Sequence, residues 1–259
     1  MLMRYSPAPF RPGKAFTLIE LLVVMVVIGI LAALLSVALS AAKTNAERKL
    51  CQTEEGQLVA AINSYYATYS RLPASTNAVN AITNSDFTFG TSLTGRSGQL
   101  ANMPAIPGAV GGIVTPNSSY QNNNSEVIAI LRDDVYYPEY ATNGGQVQAH
   151  IYNPQQPQLY QGKAATGPTT LDAGPGSPGI GTDDILRDPW GLPYIVTLDL
   201  SGDGRVLDPY LNQMNQNQYP GATLLVPGRA VVWSLGPTRK IDLTAGSKSA
   251  ANKYIVTSY

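Results

Sequence analysis

The hydrophobic pattern of the chain changes character along its length. Residues 21–42 are 22 consecutive uncharged positions, almost all Leu, Val, Ile, Met or Ala. At 1.5 Å per residue such a helix covers a bilayer core of about 30 Å. Polar residues return at Lys43, yet Leu50, Leu58, Ile62, Tyr65 and Tyr69 recur at steps of mostly three or four, with one gap of eight. That spacing predicts an amphipathic helix. Pro73 ends it, because the residue before proline avoids helical angles. The pattern therefore predicts one helix over residues ~17–71, roughly 80 Å long. Its first half is apolar all round. Its second half must lay an apolar stripe on the rest of the chain.

Residues 74–182 are rich in Asn, Gly, Pro, Gln, Ser and Thr, as in "TPNSSYQNNNS" (115–125), and read as long surface loops. "SEVIAILRDD" (125–134) is one helix-like island, with Ser125 as its expected N-cap. Strand signals follow residue 190: "PYIVTLDL" (193–200), "ATLLV" (222–226), "AVVWSL" (230–235) and "KYIVTS" (253–258). Short turns between them favour antiparallel pairing. The expected fold class is α+β: a long N-terminal helix, transmembrane in its first half, packed on a small antiparallel sheet with long irregular loops.

Charge places the chain. Lys and Arg number 17 and so do Asp and Glu. Arg4, Arg11 and Lys14 precede the apolar run with no acid among residues 1–15, so the remainder holds 14 basic and 17 acidic residues. This balance lacks the basic face that nucleic acid requires. The positive-inside rule puts residues 1–15 in the cytoplasm and the C-terminus outside. A cleaved secretory signal is the competing reading, with "SVALSAA" (36–42) as its small-residue site, but the run exceeds the usual apolar length of about 7–15 residues.

Glu20 is the one charge between Ala15 and Lys43, and a carboxylate in an apolar helix requires a partner. A cut between Ala15 and Phe16 would create an ammonium one helical turn before it. That amine could neutralise Glu20 of its own chain. It could equally neutralise Glu20 of a displaced neighbour, setting the register of a helical stack.

"AFTLIELLVV" (15–24) closely resembles the cleavage and methylation motif of type IV pilins and type II secretion pseudopilins. The resemblance implies that a prepilin peptidase cuts after Ala15 and N-methylates Phe16, and that Glu20 guides assembly. The family usually has Gly before the cut, where this chain has Ala15. Cleavage after Gly13 would move Glu20 to the seventh mature position. Val37 stands where the family often has proline, leaving Gly29 and Ser36 as the weak points of the helix. "YYATYSRLP" (65–73), with Tyr65 eight positions before Pro73, is similar to the end of the pseudopilin helix. "RDPWGLPYIV" (187–196) and "VVWSLGPTRKID" (231–242) resemble two segments of pseudopilin G-like major pseudopilins. The implied organisation is a leader at 1–15, a transmembrane and assembly helix at 16–42 and its amphipathic continuation at 43–72. A loop-rich region at 73–182 and a C-terminal β region at 183–259 follow.

One stretch suggests a metal. "DLSGDGRVLD" (199–208) opens like a calcium loop, with oxygens at Asp199, Ser201 and Asp203 and a turn at Gly204. The twelfth position is Tyr210 rather than Glu, so Asp208 would have to substitute. A Gly-Asp turn between strands is the competing reading. The resemblance implies a calcium site in the later turn instead, where Ser234 and Asp242 supply the side-chain oxygens and Arg239 and Lys240 intrude. Calcium is the only cofactor the sequence suggests.

Catalytic patterns are poor. His150 is the single histidine and has no motif, and Cys51 on the helix reads as a packing residue. Asp183 and Asp184 read as a solvated turn. Gly174, Gly176 and Gly179 spell GxGxxG, but Pro175 and Pro178 interrupt it. The chain is expected not to be an enzyme.

The expected function is a structural subunit of a type II secretion pseudopilus. Its partners would be prepilin peptidase, copies of itself, other pseudopilins and an inner-membrane assembly platform, with no nucleic acid. A type IV pilus subunit for adhesion or DNA uptake is the alternative. A membrane-tethered binding module, using the loops of 74–182, is the alternative of another class. The subunit would cross the inner membrane once before assembly, with a periplasmic C-terminal domain.

Overall fold

The computed structural model describes residues 17–80, 86–91, 123–136, 147–148, 151–167, 176–250 and 252–259. Two compact units divide the chain, Met1–Asn45 and Ala46–Tyr259. Helix α1 runs through Leu18–Tyr69, close to the predicted span. It ends where Ser70 takes a left-handed conformation (φ 53°), three residues before Pro73. In the first unit the side chains of α1 are exposed, including Leu22, Met25, Ile28, Leu31 and Leu35. The helix is long and apolar enough to cross a membrane.

The second unit is built on a four-stranded antiparallel sheet in the order β1 (Phe87–Phe89), β6 (Ile195–Leu198), β9 (Ala230–Ser234), β10 (Val256–Thr257). Phe87 pairs with Leu198, Ile195 with Trp233 and Val256 with Ser234. Strand side chains alternate between the two faces, and two cores result. Val196, Leu198, Val232 and Val256 join one cluster with Cys51, Leu58, Ile62 and Tyr65 of α1. Ile195, Val231 and Trp233 join the other with Tyr210, Leu211 and Met214. The latter three belong to α4 (Pro209–Gln218). Helix α3 (Ser125–Arg132), buried throughout 125–131, completes the first core.

The remaining elements are small. Helix α2 is Thr76–Asn80. Strands β2 (Val135–Tyr136) and β3 (Val147–Gln148) pair, as do β4 (Gly179–Ile180) with β5 (Leu186–Arg187) and β7 (Arg205–Val206) with β8 (Val226–Pro227).

Several expectations are corrected. Leu50 is half exposed (51%), and the α1 stripe is instead 51–55–58–62–65. Cys51 and the buried Glu55 fill what the sequence shows as a gap of eight. The helix-like island expected at 125–134 is α3, and it is buried in the first core; the rest of 74–182, read as surface loops, also supplies β1 to that core. The N-cap of α3 is Asn124, not Ser125. Its amide donates to the Leu186 and Tyr194 carbonyls (2.8 and 2.9 Å) and accepts from the Leu186 amide (3.0 Å), tying α3 to the strands. The strand expected at 222–226 shrinks to β8, and the connection from β7 to β8 contains α4.

Candidate functional site

Ala15, Phe16 and His150 lie outside the described residues. Thr17 begins the described chain and is the N-cap of α1, since the Leu21 amide donates to its carbonyl (3.2 Å). The Thr17 amide and hydroxyl both donate to Glu20 Oε2 (2.8 Å each), while the Glu20 amide donates to Thr17 Oγ1 (3.3 Å). This is a reciprocal capping box. The carboxylate also sits at the positive end of the helix dipole. The first partner of Glu20 is thus its own helix terminus. A cut before Phe16 would leave the Thr17 amide intact and add an ammonium one residue upstream. Glu20 would retain its cap and gain a cation within reach.

A second polar cluster lies where α1 meets the sheet. Asp188 Oδ1 accepts from the Trp190 and Leu192 amides (2.9 Å each), and Oδ2 accepts from the Ser234 hydroxyl (2.5 Å). One buried carboxylate therefore joins segment 187–196 to segment 231–242. Burial pushes Asp188 up to about 6, against the opposing pull of the Ser234 hydroxyl and the two amides. Facing it, Glu55 is fully buried. Cys51 Sγ donates to Glu55 Oε1 (3.5 Å), and Oε2 has no hydrogen-bond partner. Burial pushes Glu55 up to about 8; Cys51 pulls it down, and the charges of Asp188 and Glu54 raise it further. Beside it the Tyr194 hydroxyl donates to Glu54 Oε2 (2.5 Å). Glu55 is therefore a neutral acid at pH 7. Sequence reading missed both Glu55 and Asp188, although Glu55 falls in step with the stripe.

The calcium candidates do not come together. Asp199 accepts from the Gly202 and Gly204 amides (2.7 and 2.9 Å) and from the Ser201 hydroxyl (3.1 Å). Asp203 accepts from the Arg205 amide (2.9 Å). Asp86, unforeseen in the sequence, closes the same loop by accepting from the Ser201 and Leu207 amides (3.3 and 2.6 Å). Asp208 is elsewhere in role: it is the buried N-cap of α4, accepting from the Leu211 amide (2.9 Å). Its other oxygen accepts from Thr197 Oγ1 (2.5 Å) and Trp233 Nε1 (2.9 Å). No group of three or more His, Cys, Asp or Glu among the described residues could hold a metal. The oxygens of 199–208 organise a turn, and they do not fit a calcium ion as arranged. The later pair fits no better. Ser234 is engaged with Asp188, whereas Asp242 is exposed and accepts from the Thr244 amide and hydroxyl (2.9 and 2.6 Å).

Asp183 and Asp184 are not a solvated turn. Asp183 pairs with the buried Arg187 (2.6 Å) and Asp184 with Arg132 (3.3 Å). Burial pushes Asp184 up to about 7. A cleft of about 410 Å³ adjoins this pair, lined by Arg132, Asp134, Gly162, Ile180 and Asp184 among others.

Residues 11–36 match the family described as the prokaryotic N-terminal methylation motif. The chain carries the signature of type IV pilins and pseudopilins. None of the curated proteins and none of the solved structures matches it. The signature implies processing by prepilin peptidase and polymerisation of the pilin kind, and α1 fits a single-pass membrane anchor. The match ends at residue 36.

Proposed function

We propose that the chain is a structural subunit of a type II secretion pseudopilus. It is inserted by α1 with residues 1–15 in the cytoplasm and residues 46–259 in the periplasm. After cleavage between Ala15 and Phe16, copies polymerise through the apolar half of α1. The observation that carries this reading is the methylation motif at 11–36, with Glu20 five residues into the mature chain. The choice of a secretion pseudopilus over a surface pilus is supported by the likeness of segments 187–196 and 231–242 to those of major pseudopilins. The subunit acts by assembly, not by catalysis.

The capping box gives assembly a physical logic. Glu20 is satisfied in the single subunit by Thr17, so insertion does not leave a bare carboxylate in lipid. In a stack, the methylated amine of a neighbour adds a charge-assisted partner at one axial displacement only, which selects the register. The decisive test is terminal mass spectrometry of membrane-extracted protein, with a start at N-methylated Phe16 expected. A start at Lys14 or Lys43 would overturn the scheme. Secretion or pilus function is then separated by deleting the gene and scoring protein export against surface filaments.

A further inference from the structure

We propose that Arg48, Lys49, Arg239, Lys240 and Lys253 form a basic face that docks the domain of residues 46–259 on anionic phospholipid headgroups of the membrane anchoring α1. The proposal rests on reading residues 21–42 as the membrane span.

Charge is segregated along the chain. The whole sequence has 17 basic and 17 acidic residues, but residues 226–259 hold five Lys or Arg against Asp242 alone. The fold gathers part of that excess beside α1. The Arg48 guanidinium lies over the Tyr254 ring, 5.8 Å from its centroid, and Lys253 Nζ lies 4.7 Å from the same centroid. Gly236 (φ +68°) packs against the Tyr254 backbone, where a Cβ would come within 2.1 Å of its carbonyl oxygen. The turn Gly236–Thr238, followed by Arg239 and Lys240, is therefore held beside Tyr254. Arg239 also acts on the buried Asp188, whose charge in turn reaches Cys51 of α1.

Lys49, Arg239, Lys240 and Lys253 are exposed and Arg48 is half-buried. None of the five makes an ion pair with a described carboxylate. Lys49 donates only to Gln52 Oε1 (3.1 Å). The acids beside them are Glu47 and Asp242 in sequence and the buried Asp188 next to Arg239, so the face has a net charge of +2. Cations gathered around a half-buried tyrosine suit a surface that is anionic outside and apolar beneath.

The tether makes the partner unavoidable. Arg48 follows the last residue of the uncharged run, Ala42, by six positions. That is about 9 Å in a helix, and no more than about 21 Å fully extended. Residues 42–48 belong to α1, so the helical distance applies, and it is about one Debye length of about 8 Å, the range over which the headgroup charge is felt. Each basic residue close to an anionic surface favours the docked state roughly five-fold, so a net charge of two favours it roughly thirty-fold.

The test uses the full chain with Thr238→Cys labelled by a fluorophore, and energy transfer to a headgroup-labelled lipid. Nanodiscs of neutral phosphatidylcholine are compared with nanodiscs containing phosphatidylglycerol at low salt, one copy per disc. The docked-to-undocked ratio should rise at least ten-fold with the anionic lipid. It should return to the neutral value in 0.5 M salt and in Lys240→Glu/Lys253→Glu. Equal transfer in neutral and anionic discs, or an unchanged response in the charge-reversed variant, overturns the proposal. Transfer that appears only with two copies per disc assigns the face to a second subunit and overturns it too. Flotation with neutral vesicles reads the membrane span separately: failure there removes the anchoring reading itself, whereas flotation without a lipid-charge response removes only the docking.

Discussion

Replacing Glu55 by Gln should flatten the dependence of stability on alkaline pH. Glu55 is fully buried with one oxygen unpartnered, and burial first, then the charges of Asp188 and Glu54, push it up to about 8 from 4.5. The folded chain thus holds a proton that the unfolded chain releases between those two values. Stability from this group is complete below about 4.5 and is lost as pH rises through about 8. Two-state linkage gives a loss of about 2–3 kcal/mol between pH 6 and 8.5, of which about 1 kcal/mol falls above pH 7. Asp188 and Asp184, raised to about 6 and about 7, have the same sign, as do the buried Asp208 and Cys51. The contribution of Glu55 is therefore read as the difference between the wild type and Glu55→Gln from pH 7 to 8.5. A domain of this size loses about 2–4 °C of Tm per kcal/mol, so Glu55 should account for roughly 3–5 °C across that window. The assay is thermal unfolding of the detergent-solubilised full chain, followed at the tryptophans. Glu55→Gln keeps the shape and removes the charge, so its melting temperature should fall by that much less than the wild type's. An equal slope in both proteins would refute the assignment of a neutral buried acid.

Glu20→Leu should enter the membrane more readily, because a charged group is gone; in-cell cross-linking should nevertheless show far fewer filaments, and normal polymer yield would exclude Glu20 from assembly. Asp208→Ala removes an N-cap, worth about 1 kcal/mol, and leaves the buried Trp233 indole without its acceptor, at about 1–3 kcal/mol, while the Thr197 hydroxyl can turn to Thr88 Oγ1. A fall in Tm of roughly 4–16 °C is expected, with Asp208→Asn milder because it still accepts from one donor. Millimolar calcium should leave the melting temperature unchanged, since the oxygens of Asp199 and Asp203 are engaged with the turn. A stabilisation by calcium that Asp203→Ala abolishes would restore the metal-loop reading.

What the sequence made legible was whatever is periodic or bounded by strong stop signals. The apolar run, the helix end before Pro73, and β9 in "AVVWSL" all appear in the structure because burial on a fixed face dictates their pattern. Helix α4 escaped because "PYLNQMNQNQ" is polar; only Tyr210, Leu211 and Met214 reach the core. Its start signal was nonetheless present: Asp208 as N-cap and Pro209 at the first helical position. Reading Asp208 as an ion ligand hid that simpler role. Strand β1 is three residues long; its signal, Phe-Thr-Phe between Asp86 and Gly90, was passed over because the surrounding stretch has loop composition.

The sequence reading passed over the local environment of both acids of α1, for one physical reason. Glu20 was conspicuous because it interrupts an apolar run, and its partner was sought in the amine that cleavage would create, on its own chain or a neighbour. Yet Thr17 stands three residues before it, the spacing at which a hydroxyl and a carboxylate cap a helix reciprocally. Glu55 was inconspicuous because its neighbours are polar, and the sequence reading passed over it. It sits in step with Cys51, Leu58, Ile62 and Tyr65, and the helix buries whatever occupies that step. Position on the helix, not residue type, decided both environments. An acid at the first turn finds backbone amides before any counter-charge arrives. An acid in the middle of the docked stripe finds none and can stay there only by keeping its proton.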